Sequence, residues 1–464
     1  MNEPGGQLAR AARVHMVGIG GSGMAALATL LLRMGKTVTG SDLAMSSAAA
    51  ALGNAGAVVH LGHRAEHIGD AEYVIRSSAV SEGNPEVSDA VRRGVPSVKL
   101  AEAVGELMRG RQGVAVAGTH GKTTTTALVA WLLDRAGLDP LALIGADSLN
   151  FGASARPGAG PMVVEADEYD RRFLQLSPKV AVVTSVEPDH LDYFRDLDEI
   201  RGVFHAFVEK LPPVGRLVVC ADDPGASQLQ SRAPRVTYGF GAHADWRASD
   251  YTPVVGGGSR FMVESRGGSW LAESSLVGEH NARNALAALA AAAFFGVGVR
   301  SALDALPEFL GTRRRFETRG RPGGVWVVDD YAHHPTAVAA TLRAARGVHP
   351  NRAIWAVFQP HTTNRTAALL DALALSFSAA DHVLILPIYQ PCGRETVARP
   401  VTSRDLAARI VAANHPDARV AETFDEATEL LVRGVEPGDM VLIMGAGDVT
   451  LLSDRLLTAL DGRP

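Results

Sequence analysis

Short apolar runs alternate with segments of helical period along most of this chain. In three places, at residues 14–23, 114–122 and 441–448, a β-like apolar run breaks at glycines and continues with the period of a helix. Strands that alternate with helices indicate mostly parallel sheets, so the predicted fold class is α/β. Further apolar runs of strand length cover residues 180–184, 216–220, 325–329, 354–358 and 383–387.

Two seams divide this pattern into three predicted domains. A fresh buried strand starts at Val114, and a second seam falls near Gly311, after an alanine-rich helix over residues 285–295. The glycines at residues 256–258 have β-like residues on both sides, which predicts a loop inside the middle domain. The predicted domains are residues 1–106, 107–312 and 313–464.

Composition and charge narrow the class of partner. The chain has 464 residues, of which 47% are hydrophobic and 20% charged, which is the balance of a globular protein with several cores. Its net charge of −5 gives no basic excess for nonspecific binding to nucleic acid or to an anionic membrane. Small-molecule partners are therefore favoured over both.

The expected location is the cytoplasm. Cys220 and Cys392 are far apart in sequence, so they support neither a disulfide framework nor a thiolate metal site, and a reducing compartment fits. Arg10 and Arg13 precede an apolar stretch that imitates a secretory signal, but the glycines at residues 18–23 would weaken a continuous apolar helix there.

The segment GTHGKT at residues 118–123 lies between a predicted strand and a predicted helix, as a phosphate-binding loop does. Its glycines let backbone N–H groups turn toward phosphates, Lys122 supplies a cation, and Thr123 offers a hydroxyl to Mg²⁺. The standard pattern has a glycine where this chain has Val116, so the loop is a shortened variant. An ordinary glycine turn is the alternative.

Another glycine turn follows the first predicted strand, and because it comes first along the chain we call it the first glycine turn. Gly18, Gly20 and Gly23 satisfy the dinucleotide pattern, and Asp42 follows about twenty residues later, where it can accept a hydrogen bond from a ribose hydroxyl. From this motif alone NAD is the first ligand to consider. The alternative is a tight turn that packs a helix on a sheet.

Acidic residues cluster after two predicted strands. Because ligands collect at the carboxyl ends of strands in open α/β sheets, both groups could face the phosphate loop. Mg²⁺ takes few protein ligands, so most of these acids are expected to be solvated or capping residues, and we assign only Glu165 and His190 to a metal. The two groups are Glu165, Asp167, Glu168 and Asp170, and Glu187, Asp189, His190 and Asp192.

Polar motifs continue toward the C-terminus. Asn281 and Asn284 are three residues apart on one predicted helix face, where N-capping is the alternative role. The segments DDYAHHP at residues 329–335 and FQPHTTNRT at residues 358–366 each end a strand with histidines, and an arginine in the second suits a carboxylate or phosphate. The arginine run at residues 313–315 is expected to be a solvated charge cluster.

Together these motifs resemble the Mur ligase family of bacterial peptidoglycan synthesis, and within it the branch that adds alanine. The resemblance implies three domains: a Rossmann-like N-terminal domain for a UDP-sugar, a central P-loop ATPase domain with a mostly parallel sheet, and a Rossmann-like C-terminal domain that brings the amino acid. It replaces NAD by uridine diphosphate at the first glycine turn. The motifs are GIGGSGM, SSAVSEGNPE, AGTHGKTTTT, EADEYD, EPDHLDYF, GEHNARNALAA, GTRRRFE, DDYAHHPTAV, FQPH and MGAGDV.

The resemblance also implies the reaction. The substrates would be ATP, UDP-N-acetylmuramate and L-alanine, with Mg²⁺ or Mn²⁺ as metal, and an acyl phosphate would lead to the amide, ADP and phosphate. A monomer or homodimer with no nucleic-acid or membrane partner is expected.

Site residues are carried over onto the matching positions. His333 and His361 resemble the histidines near the γ-phosphate and the incoming amino acid, and Arg365 resembles the group that holds the amino acid's carboxylate. With Lys122 and His190 these residues form the implied catalytic set, and Thr123 and Glu165 would hold one metal and His190 a second. The implied sugar-nucleotide contacts are Gly18, Gly20, Gly21, Gly23, Asp42, Ser77 and Ser78. The implied ATP contacts are Gly118, Thr119, His120, Gly121, Lys122, Thr123, Thr124, Asn281, Asn284, Arg315, Asp330 and Tyr331.

Two departures from the family pattern affect the interpretation. Residues 193–209 lack the lysine that other branches carbamylate, which favours the alanine-adding branch. The amino-acid loop has Thr362 where relatives often carry a first arginine, and only Arg365 remains. A missing charge-assisted contact of roughly 1.5–3 kcal/mol corresponds to about ten- to a hundredfold in affinity.

Three other functions remain open at this point. A recycling ligase would attach a preformed tripeptide to the same sugar nucleotide. An NAD-dependent oxidoreductase would use residues 18–23 and Asp42 but would leave the phosphate loop unexplained. A nucleotide-gated binding protein would form no bond at all.

Overall fold

The computed structural model describes residues 6–190, 193–390 and 401–462. Cys392 and Asp192 lie outside the described residues. Three mostly parallel sheets with helices between their strands confirm the predicted α/β class. Within the described part of the chain, no helix combines the length and the apolar character needed to cross a bilayer.

The first sheet has five parallel strands, and a short 3₁₀ helix, Ala65–Ile68, lies between its third and fourth strands in sequence. Its strands are β1 (Arg13–Val17), β2 (Thr37–Asp42), β3 (Val58–Leu61), β4 (Tyr73–Arg76) and β5 (Ser97–Lys99). The helices are α1 (Gly6–Arg10), α2 (Ser22–Arg33), α3 (Ser47–Asn54), α4 (Pro85–Arg92) and α5 (Leu100–Met108). The order β3-β2-β1-β4-β5 reverses at β1, which places a ligand crevice at the carboxyl ends of β1 and its neighbours.

The second sheet has ten strands. They are β6 (Gly113–Ala117), β7 (Leu141–Ser148), β8 (Ala153–Arg156), β9 (Met162–Glu165), β10 (Val180–Val183), β11 (Arg216–Cys220), β12 (Arg235–Gly239), β13 (Trp246–Pro253), β14 (Ser259–Ser265) and β15 (Gly268–Ser274). The helices are α6 (Lys122–Arg135), α7 (Leu197–Val208), α8 (Glu279–Ala293) and α9 (Val299–Ala305). The order is β15-β14-β13-β12-β11-β10-β6-β9-β7-β8, with parallel pairing from β13 to β7 and β8 antiparallel to β7.

The third sheet has six strands in the order β16-β17-β21-β18-β19-β20, and only β16 is antiparallel to its neighbour. The strands are β16 (Glu317–Gly320), β17 (Trp326–Asp330), β18 (Ile354–Phe358), β19 (His382–Ile385), β20 (Ala418–Val420) and β21 (Met440–Met444). The helices are α10 (Pro335–Val348), α11 (Thr363–Ala368), α12 (Leu370–Leu375), α13 (Ser403–Ala412), α14 (Phe424–Gly434) and α15 (Thr450–Asp461).

The chain divides into two compact units. One comprises Met1–Ser249, Met262–Ala272 and Arg283–Leu310, and the other comprises Asp250–Phe261, Glu273–Ala282 and Gly311–Pro464. The boundary between the units falls within β13, β14, β15 and α8. The predicted domain limits at residues 106 and 312 stay predictions.

Burial on both faces explains why several of the predicted strands are continuously apolar and do not alternate between apolar and polar residues. Every residue of β6, β10, β18 and β21 is buried, as expected for parallel strands covered by helices on both faces. Polar residues follow the carboxyl ends of these four strands. Side chains that can bind ligands or take part in catalysis therefore collect there.

Candidate active site

The turn between β6 and α6 depends on its two glycines. Gly118 has φ +134°, and a Cβ there would lie 2.1 Å from Thr184 Oγ1. Gly121 has φ +79°, and a Cβ there would lie 2.5 Å from Asn284 Oδ1. A side chain at either position would therefore meet both an unfavourable backbone conformation and an atom already in place.

Hydrogen bonds to the segment after β10 hold this turn in shape. The backbone N–H of Thr119 donates to Ser185 O at 3.0 Å, and that of His120 donates to Ser185 Oγ at 3.0 Å. In return the N–H of Glu187 donates to Thr119 Oγ1 at 2.9 Å, and the Thr184 hydroxyl donates to the His120 carbonyl. These contacts fix the shape of the turn between β6 and α6.

Helix α6 begins at Lys122, directly after the turn, and its first-turn threonines are buried. The Thr126 hydroxyl donates to Lys122 O at 2.8 Å, and the Thr125 hydroxyl donates to Asn284 Oδ1 at 3.1 Å. The N–H groups of a helix's first turn have no acceptor within the helix and carry the positive end of its dipole. The geometry suits an anion such as a phosphate.

Lys122 is held by a buried carboxylate that sequence reasoning expected to be solvated or capping. Its Nζ donates to both carboxylate oxygens of Glu168, at 3.0 and 2.9 Å, and to Gly118 O at 2.5 Å. Glu168 is 3% exposed, so that expectation is wrong for this residue. Burial lowers the pKa of Lys122, but the carboxylates of Glu168, Asp167 and Glu165 outweigh it and raise that pKa.

The other acids follow the expectation more closely. Asp167 accepts the N–H of Tyr169 at 3.1 Å, and Asp189 accepts the N–H of His190 at 2.7 Å, so both cap local turns. His190 has φ +52°, and its Nε2 lies 4.0 Å from Glu168 Oε1. The imidazole and the Lys122 ammonium therefore approach the same carboxylate.

The residues beside the turn fit a divalent cation. Glu165 ends β9, and its Oε2 accepts the N–H of Gly145 at 2.7 Å, while a Cβ on Gly145 would lie 2.2 Å from that oxygen. The Glu165 carboxylate is thus held against the backbone of Gly145. Carboxylate and hydroxyl oxygens in a field negative enough to raise a lysine pKa are suitable ligands for Mg²⁺ or Mn²⁺.

The first glycine turn is tied to the end of β2. The N–H groups of Gly18 and Ile19 donate to Ser41 O at 2.8 and 3.1 Å, and the N–H of Gly20 donates to Asp42 Oδ2 at 2.8 Å. The other oxygen of Asp42 accepts the N–H of Leu43 at 2.8 Å. Asp42 thus organises the turn itself, a role the dinucleotide pattern did not predict.

The remaining predicted sugar-nucleotide residues border the same turn. Ser77 follows β4, and a Cβ on Gly18 would lie 2.9 Å from Ser77 Cβ. Ser78 is half-buried beside it. A Cβ on Gly23 would lie 3.0 Å from a methyl of Leu100, whereas Gly21 has no neighbour that close. The structure therefore gathers residues from the ends of β1, β2 and β4.

In the second unit, Asp330 ends β17 and organises the turn that follows. Its oxygens accept the N–H groups of Phe316 and Ala332, both at 2.7 Å. Burial raises the pKa of Asp330, against the lowering effect of Arg315. The Arg315 guanidinium lies 4.9 Å from the centre of the Tyr331 ring.

Two histidines follow with their rings close together. The ring centres of His333 and His361 are 5.9 Å apart, and His361 stacks on Tyr389 at 5.6 Å. His333 Nδ1 lies 2.9 Å from Tyr331 O, and a carbonyl only accepts, so Nδ1 carries the proton. In the neutral ring, Nε2 is then the nitrogen that can accept one.

The loop at the start of α11 has a strained residue at the position of the missing arginine. Thr362 has φ +55° and caps α11, with its Oγ1 accepting the N–H of Arg365 at 3.4 Å. Its own N–H donates to Tyr389 O at 2.9 Å. Thr362 therefore shapes the loop that carries Arg365.

Two further expectations are tested by this geometry. Asn284 reaches the phosphate loop, whereas Asn281 donates from Nδ2 to Val277 O at 2.8 Å on the preceding segment, and neither is the cap of α8. Arg314, expected in a solvated cluster, instead donates to Gly445 O at 2.6 Å and Gly447 O at 3.1 Å. That expectation is wrong for Arg314, because the turn after β21 offers carbonyls to it.

Sequence models of three Mur ligase domains match this chain in order. The Mur ligase family catalytic domain matches residues 13–112, the Mur ligase middle domain residues 116–292, and the Mur ligase glutamate ligase domain residues 314–447. The chain belongs to the Mur ligase family, whose members are ATP-dependent ligases that form amide bonds.

Similar proteins match over nearly the full length. A UDP-N-acetylmuramate–L-alanine ligase of Nitratidesulfovibrio vulgaris strain DP4 is 44% identical over 447 residues, which cover 95% of this chain and 97% of the relative. A ligase of the same name from Anaeromyxobacter sp. strain Fw109-5 is 44% identical over 458 residues, covering 97% of this chain and 98% of the relative.

Solved structures agree with this relationship. The UDP-N-acetylmuramate-alanine ligase of Thermotoga maritima superposes with a TM-score of 0.81 at 27% identity, covering 96% of this chain and 98% of that one. A murein peptide ligase from Psychrobacter arcticus 273-4 gives 0.70 at 30% identity, covering 98% and 99%. These matches confirm the predicted fold with its three Mur-ligase-type domains.

Proposed function

We propose that this protein joins L-alanine to the lactyl carboxylate of UDP-N-acetylmuramate at the expense of ATP, in peptidoglycan precursor synthesis. The observation that carries the proposal is the 44% identity to ligases of that name over 95% of the chain. The phosphate loop, with its lysine held by a buried carboxylate, supports it. The cytoplasm is the expected location, and a monomer or homodimer stays a prediction.

ATP is required because a carboxylate is a poor electrophile and amide formation in water is uphill near neutral pH. The lactyl carboxylate attacks the γ-phosphate in line, which gives an acyl phosphate and ADP. The Lys122 ammonium and the N–H groups at the start of α6 stabilise the charge that develops on the phosphoryl oxygens. Mg²⁺ held by Thr123 and Glu165, and a second ion at His190, would supply further positive charge to these oxygens.

The free amine of L-alanine then attacks the acyl carbonyl, and phosphate leaves. In this proposal His333 takes the amine proton on Nε2, since its Nδ1 donates to Tyr331 O. Arg365 pairs with the carboxylate of the amino acid, and His361 stacks on Tyr389 beside the same loop.

The proposal is tested by phosphate release from ATP. We expect release only when UDP-N-acetylmuramate and L-alanine are both present, because the acyl phosphate forms on the first and is consumed by the second. A coupled phosphate assay with each substrate omitted in turn measures this. Release with a tripeptide in place of L-alanine would instead identify a recycling ligase, and release indifferent to any acceptor would indicate a nucleotide-gated binder.

Arg365→Ala is expected to raise the KM for L-alanine about ten- to a hundredfold while leaving the KM for ATP unchanged. The reason is that Arg365 is the arginine left in the amino-acid loop once Thr362 replaces the other. Initial rates over a series of L-alanine concentrations give both constants. Arg343→Ala, an exposed arginine on α10, is the control. An unchanged KM for L-alanine would remove Arg365 from the amino-acid site.

A further inference from the structure

A buried carboxylate on α4 gathers three imidazoles from the first sheet. Glu86 is 0% exposed, and its Oε2 lies 3.2 Å from His63 Nδ1 and 3.7 Å from His15 Nε2. Its Oε1 lies 3.0 Å from His67 Nδ1. Ser41 Oγ donates to Oε2 at 2.5 Å. These five side chains come from α4, β1, β2 and the segment after β3, and we call them the Glu86 cluster.

The protons of the Glu86 cluster can be assigned. Burial raises the pKa of Glu86, but the imidazoles of His15 and His67 and the hydroxyl of Ser41 lower it to about 2, so the group is an anion that only accepts. The Ser41 proton goes to Glu86, and His63 Nδ1 lies within hydrogen-bond distance of both Ser41 Oγ, at 2.9 Å, and the carboxylate. The Nδ1 atoms of His63 and His67 therefore carry protons and donate inward.

The Glu86 cluster is connected to the first glycine turn and, separately, to the segment after β3. The carbonyl of Ser41, whose hydroxyl bonds Glu86, accepts the N–H groups of Gly18 and Ile19 at 2.8 and 3.1 Å. Glu86 Oε1 also accepts the N–H of Arg64 at 3.3 Å, so the carboxylate holds the backbone of the segment after β3. A single buried anion thus fixes two of the loops at the carboxyl edge of the first sheet.

A purely structural role would not require this composition. A buried carboxylate costs free energy unless it is paired and hydrogen-bonded, and a hydrophobic residue of similar volume often serves stability as well. Here one anion accepts the backbone N–H of Arg64 after β3 and the hydroxyl of Ser41, whose carbonyl in turn accepts the N–H groups of the first glycine turn. The arrangement suits the alignment of backbone donors toward a diphosphate.

We propose that Glu86 is a positioning residue for the nucleoside diphosphate sugar: through Ser41 it sets the glycine turn, and through Arg64 it sets the segment after β3. This inference rests on the proposed function, because the turn is taken to bind UDP-N-acetylmuramate. Glu86 itself touches no reacting atom; it acts on the affinity for one substrate.

Glu86→Gln tests this with little change in shape. The amide N–H₂ of glutamine is a donor and would face the hydroxyl, imidazole and backbone groups that donate to Glu86. These hydrogen bonds would be lost, and with them the fixed geometry of the first glycine turn. We expect the KM for UDP-N-acetylmuramate to rise about ten- to a hundredfold, with the KM for ATP and for L-alanine unchanged. Ser41→Ala removes one hydroxyl and is expected to raise the same constant about two- to tenfold. Glu66→Gln, an exposed neighbour after β3, is the control and is expected to change nothing.

Calorimetric binding of UDP-N-acetylmuramate, in the presence of a nonhydrolysable ATP analogue, separates the outcomes. No binding by the unaltered protein would refute the proposed function itself. If the unaltered protein and Glu86→Gln bind UDP-N-acetylmuramate with equal affinity, the inference is overturned while the proposed function stands. The inference is also overturned if the KM for ATP rises in Glu86→Gln together with the KM for UDP-N-acetylmuramate. If Glu86→Gln fails to fold, Ser41→Ala decides, and an unchanged sugar affinity in that variant overturns the proposal.

Discussion

Lys122→Ala is expected to lower the turnover rate on the order of 10³-fold or more, the size of effect seen when a group that stabilises developing charge is removed. The ammonium sits at the start of α6 beside the glycine turn, where the β- and γ-phosphates would lie. Binding of UDP-N-acetylmuramate should be unchanged, because the first glycine turn does not use Lys122. A phosphate-release assay measures the turnover rate, and calorimetry measures the affinity for UDP-N-acetylmuramate.

The stability of that variant needs its own control. Removing Lys122 leaves Glu168, 3% exposed, as a buried charge without its partner, which typically costs ~3–5 kcal/mol. The double variant Lys122→Ala, Glu168→Gln removes that charge and should regain much of the thermal stability without regaining turnover. Turnover restored in the double variant, or sugar binding lost in the single one, would contradict the assigned role.

Gly118→Ala is expected to weaken ATP binding about a hundredfold, which is about 2.7 kcal/mol of binding free energy. The new Cβ would lie 2.1 Å from Thr184 Oγ1 and 2.8 Å from the backbone nitrogen of Ser185, at a φ of +134° that alanine rarely adopts. The turn must then move away from the segment that fixes it. Calorimetric titration with a nonhydrolysable ATP analogue, and the KM for ATP, measure the loss.

The matched control for this substitution is Gly202→Ala. Gly202 lies inside α7, and a Cβ there has no atom within 4 Å. Alanine in a helix interior is favoured over glycine by about 1 kcal/mol, so this variant should keep full ATP affinity and gain slightly in stability. Wild-type affinity in Gly118→Ala would show that the turn is not the nucleotide site.

The fold was predictable where apolar runs are buried on both faces. Runs predicted at residues 216–220 and 354–358 are the bounds of β11 and β18, and the glycine loop at residues 256–258 separates β13 from β14 as predicted. The edge strands β16 and β20 were not predicted. Both are short, only Glu317 of β16 is buried and no residue of β20 is, so their residues carry little hydrophobic signal.

The glycine turns were predictable because all residues of a phosphate loop are close in sequence. The residues that hold these turns in place were not predictable, because they are far away in sequence. Glu168 was predicted to be solvated or capping, because nothing in its neighbourhood indicates that Lys122, 46 residues earlier, turns back to it. Glu86 lies 45 residues from Ser41 and 19 from His67, and its burial depends on how α4 packs. Such contacts exist only after the sheet has brought separate strand ends together.

The ion pair between Lys122 and Glu168 bears on which nucleotides the loop retains. An incoming ligand must offer oxygens that replace those of Glu168, or the ammonium stays where it is. Adenosine and AMP have no β- or γ-phosphate, so they offer the Lys122 ammonium no oxygens in place of those of Glu168. We therefore expect AMP and adenosine to compete with ATP more weakly than ADP, which keeps its β-phosphate.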